Sequence, residues 1–228
     1  MKLSIVIPVY NEKNTILQIL EKVERVSLLS DLEKEVIIVD DFSADGSREI
    51  LKSLDKKYRI IFHNKNKGKG AALKSGFKAA SGDIILIQDA DLEYNPEEYP
   101  LLLEPILNKK AKVVYGSRFF KKHNPRYRLF YFGNKFLSFL FSIFYGKWIS
   151  DMETCYKVFR REVLDNIKIK SDRFDFEPEI TAKIIKAGYD IKEVPISYES
   201  RSIEEGKKIG WKDGFSAIYT IIKYRFIN

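Results

Sequence analysis

At 228 residues with 45% hydrophobic content, the chain can bury the core of one large domain, and its single cysteine, Cys155, excludes an intramolecular disulfide. Its 40 cations against 32 acids give a net charge of +8, which indicates anionic partners such as phosphates, a membrane surface or nucleic acid. The amino terminus enters a strand pattern at once and lacks the long apolar region of a signal peptide. We therefore expect a protein that is made and kept in the cytoplasm.

Predicted strands and helices alternate at short spacing in the first half of the chain. Apolar runs predict strands at 2–9, 36–39, 59–62 and 83–88, and apolar periodicity predicts helices at 15–29, 47–54 and 71–80. Further helices are expected at 97–107, 129–145, 176–187 and 211–226, and further strands at 111–115, 154–159 and within 190–198. This order predicts an α/β fold with a mainly parallel sheet flanked by helices.

Acidic residues follow the predicted strand at 83–88. Asp89 and Asp91 point to the same side of an extended chain, and Glu93 stands two positions further on. Carboxylates crowded at the edge of a core repel one another, and a hard divalent cation would offset that repulsion. The alternative is a solvated acidic turn before a helix, capped by Asn95 with Pro96 in its first turn.

Polar clusters also follow two other predicted strands, at 10–12 and 40–41. Ligands of parallel sheets sit outside the carboxyl ends of the strands, so three such clusters predict a site at this edge. The glycine loop at 68–70 is neither a Walker loop nor a dinucleotide fingerprint. We expect its glycines to allow close packing of the chain.

Two blocks of the chain, 56–78 and 118–147, contain no acidic residue. The helix expected at 129–145 is dense in Phe, Leu, Ile and Tyr, and Lys135 is its one charged residue. It is too short to cross a bilayer, and a narrow polar stripe of Asn134, Ser138 and Ser142 runs along it. This pattern favours a helix at a membrane interface over a core helix or a dimer face. The helix at 211–226 is either a second interfacial helix or one packed on the sheet.

Five motifs in order along the chain resemble those of family 2 glycosyltransferases, and most closely the dolichyl- or polyprenyl-phosphate sugar synthases that transfer mannose or glucose. They are Ile5-Val6-Ile7-Pro8-Val9-Tyr10-Asn11-Glu12, Val39-Asp40-Asp41 with Asp45-Gly46-Ser47, Asn66-x-Gly68-x-Gly70-Ala71, Asp89-Ala90-Asp91 and Gly116-Ser117-Arg118. The resemblance spans nearly the whole chain. It implies one GT-A domain over 1–228, with a nucleotide-sugar-binding half at 1–116 and an acceptor-binding half at 117–228.

The resemblance also implies roles for individual residues. The metal ligands would be Asp89, Asp91 and Glu93, holding Mg²⁺ or Mn²⁺, although Glu93 stands where mannose-transferring relatives often have Gln. Donor-binding residues would be Pro8, Tyr10, Glu12, Asp40, Asp41, Asp89, Ala90 and Asp91, with Arg201 and Lys208 from a loop. The acceptor phosphate would be held by Arg118, Arg126 and Arg128. The chain ends at Asn228 without the transmembrane helices of many relatives, so membrane access is expected through the interfacial helices on the cytoplasmic face.

The implied reaction is a direct displacement with inversion at the anomeric carbon, with Asp91, Arg118 and Asp151 as the catalytic set. The expected partners are a nucleotide-sugar (GDP-mannose or UDP-glucose type), a polyprenyl or dolichyl phosphate and a membrane surface, without nucleic acid. A phosphate acceptor is already ionised at neutral pH and needs positioning cations more than a base. A saccharide hydroxyl acceptor is the first alternative, with Asp151 or Glu153 as the base. Outside this class, the charge permits a basic nucleic-acid- or membrane-binding module, and the carboxylates permit a nucleotidyltransferase.

Overall fold

The computed structural model describes residues 1–28, 32–121, 126–202 and 210–227. Seven strands form one sheet in the order β3-β2-β1-β4-β6-β5-β7. The strands are β1 (Lys2–Val9), β2 (Glu33–Asp40), β3 (Arg59–Phe62), β4 (Ile84–Ile87), β5 (Val113–Ser117), β6 (Lys157–Arg160) and β7 (Ile191–Pro195). The predicted mainly parallel sheet is confirmed.

One strand runs against the others. β6 pairs antiparallel with both β4 and β5, whereas every other pair in the sheet is parallel. The start of β6 therefore lies at the edge where β4 and β5 end. Because of this reversal, the segment 151–156 that leads into β6 reaches the carboxyl edge of the sheet, where ligands of such folds bind.

Helices cover the two faces of the sheet. They are α1 (Ile16–Arg25), α2 (Ser47–Ser53), α3 (Lys69–Ala79), α4 (Tyr99–Leu107), α5 (Arg128–Tyr145), α6 (Arg161–Asp165), α7 (Phe176–Lys186) and α8 (Trp211–Phe226). Three predictions needed correction. The helix predicted at 15–29 ends at Arg25, because Val26 is already extended. The helix expected from Glu97 begins with a 3₁₀ turn at Pro96–Glu98. The helix α6 was not predicted, because five residues carry too little periodicity.

The interior divides into two apolar clusters. The larger one surrounds the sheet, whose central strands β1 and β4 read as continuous apolar runs because both of their faces are covered. The smaller one joins α5, α7 and α8 through Leu137, Phe141, Ala182 and Ile221. α5 and α8 are thus fixed to the rest of the protein by one side of each helix.

The glycine loop before α3 packs against the chain that precedes α7. A Cβ on Gly68 would lie 2.4 Å from the Asp172 carbonyl oxygen, and one on Gly70 would lie 2.6 Å from that of Ser171. Gly68 also has a φ of +101°, which side chains rarely adopt. The expectation that these glycines allow close packing is confirmed.

Candidate active site

Three of the loops at the carboxyl edge contain a residue in the left-handed region. Asn11 (φ 52°) follows β1, Phe42 (φ 67°) follows β2 and Leu92 (φ 65°) follows β4. Non-glycine residues rarely adopt this conformation, and strained backbone of this kind clusters at functional sites. Its recurrence in three neighbouring loops singles out this edge of the sheet.

Hydrogen bonds join the loop after β1 to the loop after β2. The Asn11 backbone N–H donates to Ser43 Oγ at 2.9 Å, and the Glu12 N–H donates to Ser47 Oγ at 2.8 Å. In return, the Asn11 side-chain oxygen accepts from the Ala44 N–H at 2.8 Å. These contacts hold Glu12 and the half-exposed Tyr10 at a fixed place beside the end of β4.

The acidic run after β4 is not a solvated turn. The side chains of Asp89, Asp91 and Glu93 are only 17%, 14% and 11% exposed. Asn95 caps the following turn by accepting from the Glu97 N–H, so the predicted cap is confirmed. The carboxylates themselves are enclosed, and each has a cationic or hydroxyl partner.

Lys69, at the start of α3, is the partner of Asp89. Its ammonium lies 2.9 Å from Asp89 Oδ1 and 3.5 Å from Glu177 Oε1. Burial raises the pKa of the Asp89 carboxyl, but Lys69, Cys155 and Arg201 together outweigh burial and hold that pKa below its usual value. The sequence marked the loop 68–70 as a place of close packing and did not single out Lys69 or Glu177.

Arg201 joins two of the predicted donor-binding loops. Its guanidinium lies 2.9 Å from Glu12 Oε2 and 3.2 Å from Asp91 Oδ2. Burial, together with the charges of Asp89 and Glu93, raises the pKa of Asp91 to about 7, and Arg201 opposes that rise. The expectation that Arg201 reaches the donor side of the site agrees with this placement. Lys208 lies outside the described residues.

Glu93 is engaged by the segment that carries Arg201. Its carboxylate accepts a 2.7 Å hydrogen bond from the Tyr198 hydroxyl and another of 2.7 Å from the Arg201 backbone N–H. Within the described part of the chain, no three acidic, histidine or cysteine side chains converge as a metal-binding group. The Glu93 carboxylate anchors the segment that carries Arg201, and its role as a metal ligand beside Asp89 and Asp91 stays a prediction.

Asp40 and Asp41 are buried and engaged within the protein. Asp41 Oδ1 lies 2.7 Å from His63 Nδ1, and its two oxygens accept the backbone N–H groups of Lys67 and Gly68. Asp40 Oδ2 lies 3.1 Å from the guanidinium of Arg48. Both carboxylates shape the loops around the site, and direct contact with a base or ribose stays a prediction.

Arg118 and Asp151 form a buried ion pair. Arg118 Nε and Nη2 each donate to the Asp151 carboxylate at 2.7 Å, and the Arg118 backbone N–H adds a third bond at 3.0 Å. Burial disfavours the charged guanidinium, but Asp151, together with Tyr94 and Tyr198, outweighs burial and raises the pKa of Arg118 well above its usual value. The Nη1 group of Arg118 makes no hydrogen bond to the described residues, and contact with an acceptor phosphate stays a prediction.

The remaining predicted residues line the same edge. Pro8 lies within β1 in register with Val39, and Ala90 is buried between the two aspartates. Arg126 and Arg128 are exposed where the chain enters α5. Asp151 is so fully engaged by Arg118 that it is poorly placed to act as a base.

Glu153 differs from Asp151 in its surroundings. Its Oε1 is buried and has no hydrogen-bond partner among the described residues. Burial, together with the Glu177 carboxylate, raises the pKa of Glu153 to about 7. A carboxyl group with a pKa of about 7 can take up and release a proton near neutral pH, as a general base must.

The polar stripe of α5 faces the protein. Ser138 Oγ accepts from the Met152 N–H at 3.0 Å, and Ser142 Oγ accepts from the Ile149 N–H at 3.0 Å. The outward side is apolar, and its five large side chains are 51–85% exposed: Leu129, Phe132, Phe136, Phe139 and Ile143. α8 adds exposed apolar side chains at Phe215, Tyr219, Ile222 and Phe226. A surface helix usually turns its apolar side to the core and its polar side to water, and α5 has the opposite arrangement.

A family model described as Glycosyl transferase family 2 matches residues 4–168. The chain is 31% identical over 217 residues to a dolichol-phosphate mannosyltransferase of Pyrococcus furiosus, covering 92% of this chain and 60% of the relative. It is 30% identical over 181 residues to an undecaprenyl-phosphate 4-deoxy-4-formamido-L-arabinose transferase of Proteus mirabilis, covering 78% of this chain and 54% of the relative. The chain thus spans little more than half the length of these curated relatives.

Solved structures share the fold. Glucosyl-3-phosphoglycerate synthase from Mycobacterium tuberculosis, in complex with Mn²⁺, uridine diphosphate and phosphoglyceric acid, superposes with a TM-score of 0.77 at 20% sequence identity. The match covers all of this chain and 79% of that one. The expected GT-A architecture is confirmed.

Proposed function

The chain belongs to glycosyl transferase family 2, and on that premise we propose that it transfers a hexose from a nucleoside diphosphate sugar to a polyprenyl-type lipid phosphate. The observation that supports this most is the junction at the carboxyl edge. At this edge Arg201 contacts both Glu12 and Asp91. The helix α5, whose outward side is apolar, follows the segment 118–128, which is rich in cations. A donor diphosphate and a lipid-borne phosphate would meet between these two parts.

The relatives agree on the acceptor and differ in the sugar. One is named for a dolichol phosphate and another for an undecaprenyl phosphate, both long-chain lipid phosphates. Their sugars, mannose and a formamido-arabinose, have little in common. We therefore assign the acceptor class and leave the base of the donor and the identity of the hexose to experiment.

A divalent cation suits the pair Asp89 and Asp91. Like-charge repulsion and burial raise the pKa of Asp91 to about 7, which is the condition that a bound cation relieves. Mg²⁺ is commonly held by one or two protein carboxylates together with substrate phosphates, so Glu93 is not required as a ligand. When bound, Mg²⁺ or Mn²⁺ would neutralise charge on the departing nucleoside diphosphate.

The residues of this chain position the reactants. An oxygen of the acceptor phosphate forms a bond to the anomeric carbon as the bond from that carbon to the donor diphosphate breaks, with inversion. The acceptor is already ionised, so no proton has to be removed. Arg118 is oriented by Asp151 and presents Nη1, while Arg126 and Arg128 add positive charge where the chain enters α5. Arg201 balances the carboxylates on the donor side.

A saccharide hydroxyl acceptor is the second candidate, and Glu153 favours it. A hydroxyl must lose its proton to a base, and Glu153 has a pKa of about 7 and an unbonded carboxylate oxygen. This alternative predicts that Glu153→Gln abolishes transfer. The lipid-phosphate proposal predicts that the same variant retains most of its activity.

Membrane contact follows from the outward faces of α5 and α8. Large aromatic and aliphatic side chains cover both helices on one side, and cations flank them at Arg126, Arg128, Lys135, Lys223 and Arg225. Among the described residues, no helix has the length and hydropathy to span a bilayer. We propose a peripheral, in-plane contact with anionic lipid, on the cytoplasmic face.

The deciding experiment presents a panel of UDP- and GDP-sugars labelled in the sugar, together with a polyprenyl phosphate or a saccharide acceptor. The proposal expects label in the lipid extract for at least one donor with the polyprenyl phosphate. Asp91→Asn should abolish that label while the thermal unfolding temperature stays close to that of the wild type. Label that appears only in the saccharide would overturn the proposal in favour of the second candidate.

A further inference from the structure

The opposite edge of the sheet holds a cavity with an excess of positive charge. It measures about 440 Å³ and lies where β4 begins and β6 ends. Pockets for small organic ligands usually measure about 300–1,000 Å³, so this one is larger than a bare ion needs. Asp83 on its rim lies six residues before Asp89, which places the cavity roughly 20 Å from the candidate active site.

Four of the seven lining residues are cations: Lys109, Lys112, Arg160 and Arg161. The two acids already have partners. Asp83 accepts the Lys2 backbone N–H at 2.8 Å, and Glu162 pairs with Lys112 at 3.0 Å, both side chains of that pair being more than half exposed. Among the described residues, no carboxylate pairs with Lys109, Arg160 or Arg161.

Backbone carbonyls fix the two guanidinium groups. Arg160 Nη2 donates to the Ile106 carbonyl at 3.1 Å, and Arg161 Nε donates to the Gly82 carbonyl at 2.8 Å. Carbonyl oxygens orient a guanidinium without cancelling its charge. The adjacent Nη2 of Arg161 is buried and has no partner among the described residues. A buried donor without an acceptor is costly, and here that cost falls on one of the guanidinium groups of the cavity lining.

We propose that this cavity is a second anion-binding site, which takes a phosphorylated small molecule or a lipid phosphate headgroup. Two adjacent guanidinium forks with a lysine beside them suit phosphate oxygens, since Arg binds phosphate in a bidentate manner. The partly buried Ala111 gives the cavity an apolar wall for the organic part of the ligand. This site is independent of the proposed transfer reaction.

The test is a titration of the ¹⁵N-labelled full chain with sodium pyrophosphate, without divalent cations and against sodium chloride of matched ionic strength. Saturable amide shifts are expected at Asp83, Lys112 and Glu162. Binding to the active site would instead move the amides of 10–12 and 91–93, so the two sites are read separately. A short-chain phosphatidic acid, kept monomeric below its critical micelle concentration, forms a second arm, and shifts of these amides only in that arm assign the ligand to a lipid phosphate headgroup.

Variants make the assignment specific. Arg161→Gln should weaken binding at least about tenfold, the size of one charge-assisted hydrogen bond. Lys109→Gln, on an exposed side chain without structural contacts to the described residues, should weaken it about threefold. Arg25→Gln on α1 is the matched control and should change nothing. The proposal fails if neither ligand shifts these amides, or if all three variants lose affinity equally.

Discussion

Arg118 and Asp151 lie 33 residues apart in sequence and meet in a buried, bidentate ion pair whose two bonds both measure 2.7 Å. Arg118 directly follows β5. Asp151 lies in the segment that leads into the antiparallel strand β6. Two residues expected to act separately, one on the acceptor and one as a base, are thus a single structural unit. A change to either residue should therefore lower the stability of the protein as well as its activity.

Removal of Asp151 should destabilise the protein. Asp151→Ala leaves the Arg118 guanidinium buried without its counter-charge, which costs about 3–5 kcal/mol in the free energy of unfolding. Urea denaturation followed by circular dichroism measures that loss. Asp190→Ala breaks the exposed pair with Lys147 and serves as the control, with an expected cost below about 1 kcal/mol. Equal losses in the two variants would contradict the structural role of Asp151.

Glu153 should make stability depend on pH. Its pKa is about 7 in the folded protein and 4.5 as the ordinary value, so between these the folded state keeps a proton that the unfolded state has lost. The contribution of Glu153 to the free energy of unfolding is therefore fully present below about pH 4.5 and is lost as the pH rises to about 7. Above that pH the free energy of unfolding no longer changes because of this group. The full loss is about 3 kcal/mol.

Glu153→Gln removes that dependence, because the amide does not titrate. Urea denaturation at about pH 5 and about pH 8 should show the variant gaining stability over the wild type at the higher pH. Glu21→Gln, which changes an exposed carboxylate on α1, is the control and should follow the wild type. A constant difference between Glu153→Gln and wild type at both pH values would refute the raised pKa.

Gly68→Ala should destabilise the loop that presents Lys69. The new Cβ would lie 2.4 Å from a backbone oxygen at a φ of +101°, so the chain must shift at two places. Gly133→Ala is the matched control, since a Cβ there meets nothing within 4 Å and Ala is favoured in a helix by about 1 kcal/mol. Thermal unfolding should rank Gly68→Ala below wild type and Gly133→Ala at or above it. The reverse ranking would show that the loop accommodates the added methyl group without loss of stability.

Serine in place of Phe132, Phe136 and Phe139 should release the protein from anionic vesicles. Each exposed aromatic side chain contributes apolar area that a lipid interface would bury, at about 25 cal/mol per Å². Co-sedimentation with vesicles measures the bound fraction. Leu17→Ser, which alters an exposed apolar residue on α1, should leave that fraction unchanged. Undiminished binding of the triple variant would leave the outward face of α5 without a membrane role.

The order of strands and helices, and the edge of the sheet at which the site forms, could be predicted from local patterns in the sequence. Local periodicity marks each element, and the parallel direction of the strands places their carboxyl ends at one edge of the sheet. For that reason Asp89, Asp91, Glu12 and Asp41 could be assigned to one edge from their positions in the chain. The glycine loop could be assigned to close packing because the phosphate-binding spacings are missing.

Which side chains meet depends on long-range packing, which the local sequence does not specify. Arg201 reaches Glu12 across 189 residues and Asp91 across 110, and nothing local in the sequence specifies either contact. The reversal of β6 pairs Arg118 with Asp151, and the packing of α5 turns Ser138 and Ser142 inward. Periodicity shows that a stripe exists but not which way it faces, because that depends on what the rest of the chain packs against it. Glu93 is a further example, because its carboxylate anchors the segment that carries Arg201, a contact that the local sequence does not specify.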